Sequence, residues 1–198
     1  MNVTIDAQAV AADLLGFTTV GDVLSHVRTQ NRLVTQVLID GRQPDLAGMA
    51  ALRERPLLGH TIYIETAEPR RIAVDVLSEL SVQLDQADHT RRDVVELLAA
   101  GDTSKALQKL SGCFTAWHAG QQAVEQIARL LRVDLAQVRG SDIPLVDVLT
   151  RFSQQLRTLR TSLEERDYVV LSDTLEYEIA PTLLQWRSAL SELRAIVG

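Results

Sequence analysis

The spacing of apolar residues changes once along the chain, near residue 70, and that change divides the sequence in two. Before it the apolar runs are short and mostly alternate. Residues 2–6 (NVTID) put Val3 and Ile5 on one face, which predicts a short half-buried strand. Residues 7–17 carry no clear period. Thr18 or Thr19 is placed to cap a helix running to about Asn31, with Val20, Val23, Leu24 and Val27 along one side. LVTQVLIDGRQ is rich in β-branched residues and ends at Asp40-Gly41, a dipeptide suited to the positive φ angles of a hairpin turn. Pro44-Asp45 opens a short helical turn through Leu52, which Pro56 and Gly59 close. HTIYIET then alternates, with Ile62 and Ile64 inward and Tyr63 and Glu65 outward, until Pro69 ends the strand.

From residue 70 the apolar period is 3.5. A first helix carries Ala73, Leu77, Leu80, Leu84, Ala87, Val94 and Leu98, is broken once at Arg91, and is expected to pause near Asp88-His89-Thr90 before Gly101 stops it. A second helix, capped by Asp102, Thr103 or Ser104, has the seam Leu107, Leu110, Phe114, Trp117, Gln121, Val124, Ala128 and Leu131. A third starts at Pro144, with Asp142 as its candidate cap, and carries Leu145, Leu149, Phe152, Leu156, Leu159 and Leu163. The fourth begins after Asp167 with Leu171, Leu175 and Ile179, then continues through Leu183, Trp186, Leu190, Leu193 and Val197. Its frame slips by one residue at Pro181, where a mid-helix proline predicts a kink. Segments with one apolar stripe each can hide those stripes only against one another. The expected architecture is therefore α+β: a small domain over residues 1–68 and an all-α four-helix bundle over 69–198.

In VLIDGRQPDLAGMAALRERPLLGHTIYIE a strand, a glycine turn, a short helical segment and a final strand follow in order. That order resembles a ubiquitin-like β-grasp domain over roughly residues 1–67; a plain α+β domain also fits the pattern. The resemblance implies a docking surface and not a conjugated modifier, because no Gly-Gly follows Thr66 and the chain continues into a helix. In helix number, length and acidity, the second part resembles the small helical chaperones of flagellar and other secretion systems. That likeness implies a groove for an amphipathic partner helix.

Composition narrows the functional classes. Hydrophobic residues make up 46% and charged residues 23% of the 198, as in an ordinary globular protein. The net charge of −6 is shared by the two parts, and no basic block is present, which disfavours nucleic acid as a partner. No apolar run is long enough to span a bilayer, the N-terminus lacks the pattern of a signal peptide, and one cysteine excludes an internal disulfide. A cytoplasmic location is expected, with no membrane partner.

Catalytic and metal-binding motifs are lacking in the sequence. His26, His60, His89 and His118 are scattered and no Glu-x-x-His occurs, so neither a metal nor another cofactor is expected. No nucleophile motif or phosphate loop is found, and Cys113 reads as a small buried hydrophobe. Trp117 and Trp186 read as core, Gln121 as a polar seam residue that sets register or oligomeric state, and Gly120 as a point of close helix approach. The unusual segment is EERDYVVLSDTLEYEIAPTLLQW, residues 164–186, where Asp167, Asp173, Glu176 and Glu178 crowd around Tyr168 and Tyr177. Two readings fit it. The acids are first-turn residues favoured by the helix dipole, with tyrosines at the bundle edge. Alternatively Tyr168, Asp173, Glu176, Tyr177 and Glu178 form a partner-binding surface. The function expected from the latter is a non-enzymatic adaptor or chaperone that binds another protein. The alternatives are a small-molecule-binding bundle or unrecognised enzyme using the same segment, and a self-associating homo-oligomer.

Overall fold

A computed structural model describes residues 2–45, 48–140 and 142–198. The chain is α+β and divides into two compact units, Met1–Ile72 and Ala73–Gly198.

In the first unit, β1 (Asn2–Ile5) turns back on β2 (Gln8–Val10) through Asp6 and Ala7, both at positive φ. This hairpin occupies part of the stretch without a sequence period. α1 (Val20–Thr29) starts at Thr19, whose hydroxyl accepts from Asp22 N while the Asp22 carboxylate accepts from Thr19 N, a reciprocal capping box. β3 (Leu33–Ile39) ends at the Asp40-Gly41 turn, where both residues have positive φ. The turn closes a bridge between Ile39 and Arg42 and, among the described residues, opens onto no hairpin partner. The chain instead passes through α2 (Met49–Glu54) and returns as β4 (Thr61–Ala67), antiparallel to β3 and parallel to β1. The sheet order is β2-β1-β4-β3. Val3, Ile39, Ile62 and Ile64 bury against Val20, Val23, Leu24, Leu52 and Leu57.

α3 (Pro69–Ala99) is continuous, so the expected pause at residues 88–90 does not occur. Of the polar residues around it, Asp88 and Arg91 face inward, each 5% exposed and paired at 2.8 Å, while His89 stays exposed. α4 (Thr103–Leu131) is capped by Asp102 and α5 (Leu145–Glu165) starts after Pro144. Asp142 does not cap α5; it sits at positive φ in a small hairpin of β5 (Arg139–Gly140) and β6 (Ile143–Pro144). A Cβ on Gly140 would lie 2.2 Å from the Ala189 backbone nitrogen, so only glycine lets this hairpin seat there. The fourth rod is α6 (Tyr168–Asp173), a π-helical turn (Thr174–Ile179) and α7 (Ala180–Val197), joined through residues of right-handed helical geometry.

The second unit's core centres on aromatic rings. Trp117 meets Phe152 edge-on at 5.5 Å, and Phe152 meets Trp186 at 5.1 Å, all three fully buried. Gly120 allows the approach of Leu80 and Trp186, whose atoms lie 2.9 and 3.3 Å from where its Cβ would stand. Gln121 is half-buried and donates to Ser153 Oγ at 3.1 Å. A Cβ on Gly112 would meet nothing within 4 Å.

Candidate functional site

The seam of the fourth rod steps by four residues three times in succession: Leu171, Leu175, Ile179, Leu183. At about 3.6 residues per turn, an α-helix would carry the last of these roughly a third of a turn off the face of the first. The π-helical turn at Thr174–Ile179 absorbs the extra residue, because its i→i+5 bonding takes in one more residue per turn. All four leucine and isoleucine side chains are consequently fully buried. The frame slip seen in the sequence is thus a π turn, and Pro181, at the start of α7, follows it.

Two carbonyls of this turn receive side-chain donors from neighbouring helices. Arg91 on α3 donates from Nη1 to Leu175 O at 3.1 Å, and Gln155 on α5 donates from Nε2 to Glu178 O at 3.1 Å. Thr182 adds a third bond, from its hydroxyl to Glu178 O at 3.0 Å. Arg91 is anchored in turn by Asp88, which also takes Arg92 at 2.6 Å. Burial pushes the Asp88 carboxyl upward, but the Arg91 hydrogen bond and the charges of both arginines outweigh it, and the group titrates below its ordinary 3.8. The buried polar residues of α3 and α5 hold the π turn from both sides.

The turn's outer surface carries most of the acidic-aromatic segment. Asp173, Glu176, Tyr177 and Glu178 are exposed, whereas Tyr168 is half-buried against the core and stands apart from them. Outward, the same rod exposes three large apolar side chains, Val169, Tyr177 and Leu184, at 72%, 68% and 62%. Beside Glu176 lies a cleft of 310 Å³ lined by Arg91, Arg92, Val95, Glu96 and Glu176. With Asp88 taking both arginines, Glu96 and Glu176 make no ion pair among the described residues.

Elsewhere the chemistry is quiet. Burial pushes the Cys113 thiol up to about 11, so it is protonated and a poor nucleophile at neutral pH. Among the described residues no group of three or more His, Cys, Asp or Glu is arranged to hold a metal ion, and no helix is long and apolar enough to cross a membrane. Arg91, Gln155, Glu96, Val169 and Leu184 were not singled out as site residues by sequence reasoning. The one signal was Arg91 itself, the charged interruption of an otherwise apolar seam.

The second unit defines a class: a helical domain whose last rod is interrupted by a clamped π turn. Residues 75–189 match the family model of a domain of unknown function, DUF8042, and the chain belongs to this family. No curated protein and no solved structure matches the chain.

Proposed function

We propose that this chain is a non-enzymatic protein–protein interaction protein of the cytoplasm, adaptor- or chaperone-like, with a β-grasp first unit and a four-helix bundle as the second. The β-grasp reading is supported by the parallel pairing of the first and last strands and the helix packed on one sheet face. The bundle reading takes α6, the π turn and α7 as one rod beside α3, α4 and α5. The observation that carries the functional reading is the π turn. Its buried side is fixed by Arg91 and Gln155, while its outer side exposes Glu176, Tyr177 and Glu178, with Asp173 exposed just before it. π turns interrupt α-helices rarely and often at functional positions.

A photo-crosslinking amino acid in place of Tyr177, with Val82 as an exposed control position, tests the reading in native lysate. The expected result is a discrete crosslinked protein at position 177 and none at 82. Equal labelling at both positions, or none at 177, would contradict it. A small-molecule or enzymatic role has the cleft beside Glu176 in its favour, although neither Tyr168 nor Tyr177 lines it.

A further inference from the structure

We infer that the outward face of the fourth rod, from Val169 to Leu184, docks a basic amphipathic helix of a partner protein. This rests on the interaction reading above and names the chemistry of the partner. Val169 and Tyr177 are eight residues apart and Tyr177 and Leu184 seven. In an uninterrupted α-helix only the second step would keep one face, since eight residues overshoot two turns by most of a residue. Tyr177 lies inside the π turn, which spreads the excess over both steps, so the three exposed apolar side chains share one outward strip about 20 Å long. A helix with apolar residues at a seven-residue repeat presents ridges at matching intervals.

Charge selects the partner. Asp173 stands within the line, Glu176 and Glu178 flank it on opposite sides, and Glu96 of α3 faces the same cleft as Glu176. None of these four carboxylates has an ion-pair partner among the described residues. Arg91 and Arg92 border the cleft, but both are engaged by Asp88, and the surface as a whole is net acidic. Lysine or arginine on the flanks of the docked helix would meet Glu96, Glu176 and Glu178. A second copy of this chain is a poor occupant. It would set the same acids against each other, in a protein whose net charge is already −6.

The test is fluorescence anisotropy of the full chain with two labelled synthetic helical peptides of about 18 residues, or about five turns. Both carry the same leucine face; one has lysine and arginine on its flanks and the other glutamate. The expected result is that the basic peptide binds at least about ten-fold more tightly, with affinity falling as salt rises. The double variant Glu96→Gln/Glu176→Gln should weaken the basic peptide by about ten-fold and leave the circular dichroism unchanged. Tyr177→Ala/Leu184→Ala should abolish binding. Equal affinity for the two peptides, or basic-peptide binding that survives Tyr177→Ala/Leu184→Ala, would overturn the inference. A crosslinked partner at position 177 together with no binding of the basic peptide would overturn this inference alone. Absence of both would overturn the interaction reading as well.

Discussion

The two units use polar side chains in opposite ways. In the first, carboxylates work at the surface and over short structural distances. Asp6 accepts from Thr66 N at 2.7 Å and Thr66 Oγ1 at 2.6 Å, Asp22 closes the α1 capping box, and Asp40 accepts from Thr61 N at 2.9 Å. Each satisfies backbone donors at a strand end or helix start, where no ladder continues. In the second, the decisive polar residues are buried in helix interiors and serve a carbonyl on another helix, as Arg91 serves Leu175 O and Gln155 serves Glu178 O. Surface carboxylates at element ends can be exchanged at modest cost. A buried guanidinium that pairs a carboxylate and a π-turn carbonyl cannot, because its loss strands the carbonyl and leaves the buried carboxylate with one partner fewer.

This contrast is sharpest in the variant Arg91→Met. It should destabilise the protein by about 3 kcal/mol, the lower end for breaking a buried ion pair, because Asp88 keeps Arg92. Chemical denaturation measures this, and hydrogen exchange should show the loss centred on residues 171–186. Thr19→Ala, which removes the α1 cap in the first unit, should cost only about 1 kcal/mol, with faster exchange confined to the start of α1. A cost for Thr19→Ala equal to that for Arg91→Met would break the comparison.

Acid should affect both units through the same sign. Hydrogen bonds from the Thr18 and Thr19 backbone lower the Asp22 carboxyl to about 2, and Asp6, Asp40 and Asp88 are also depressed below 3.8. A carboxyl with a folded pKa below its unfolded one contributes stability that is full above the unfolded value and lost as pH falls through the folded value. Stability should therefore be flat with respect to these groups above about pH 5 and fall between about pH 4 and 2. Asp22→Asn should flatten part of that slope in a pH series of denaturation curves.

The smallest expected effect is a gain. Gly112 lies inside α4 with open space where a Cβ would go, so Gly112→Ala should stabilise by roughly 0.5–1 kcal/mol through helix propensity. Gly120→Ala, one helix face away, should destabilise, because its Cβ would press on Leu80 and Trp186. Melting temperatures of the two variants moving in the same direction would contradict that account.

What could be read from the sequence follows the same division. Capping signals, alternating strands and heptad seams are local, and Thr19, Asp102, Asp167, Ile62, Ile64 and much of the helical seams were legible from spacing. On α4, however, the buried face runs through Ala106, Cys113, Gly120 and Ile127, and the expected Leu107, Phe114 and Gln121 are only half-buried. β2 was hidden because its turn is Asp6-Ala7; alanine at positive φ carries none of the glycine or asparagine signature that marks such turns. The β5–β6 hairpin was hidden because its reason lies in Gly140 against Ala189, a contact remote in sequence. The one-residue slip of the fourth helix was visible, but its cause was not. A proline kink and a π insertion give the same shift in a seam, and only the partners Arg91 and Gln155 distinguish them. Likewise the exposure of Val169, Tyr177 and Leu184 on the outward side of the fourth rod depends on the register that the π turn sets.

The central claim is that the π turn is one inserted residue, and deletion tests it most directly. Removing Tyr177, which is exposed, shortens the Leu175-to-Ile179 step from four residues to three and turns the whole seam into regular alternation of four and three. As a control, removing the exposed Arg157 from α5 rotates half of a regular helix by about 100°. Denaturation of the two deletion variants should show the Tyr177 deletion folded cooperatively within about 1 kcal/mol of wild type and the Arg157 deletion unfolded or severely destabilised. If the Tyr177 deletion were as damaging as the control, the π turn would not be the insertion that sets the register of the fourth rod.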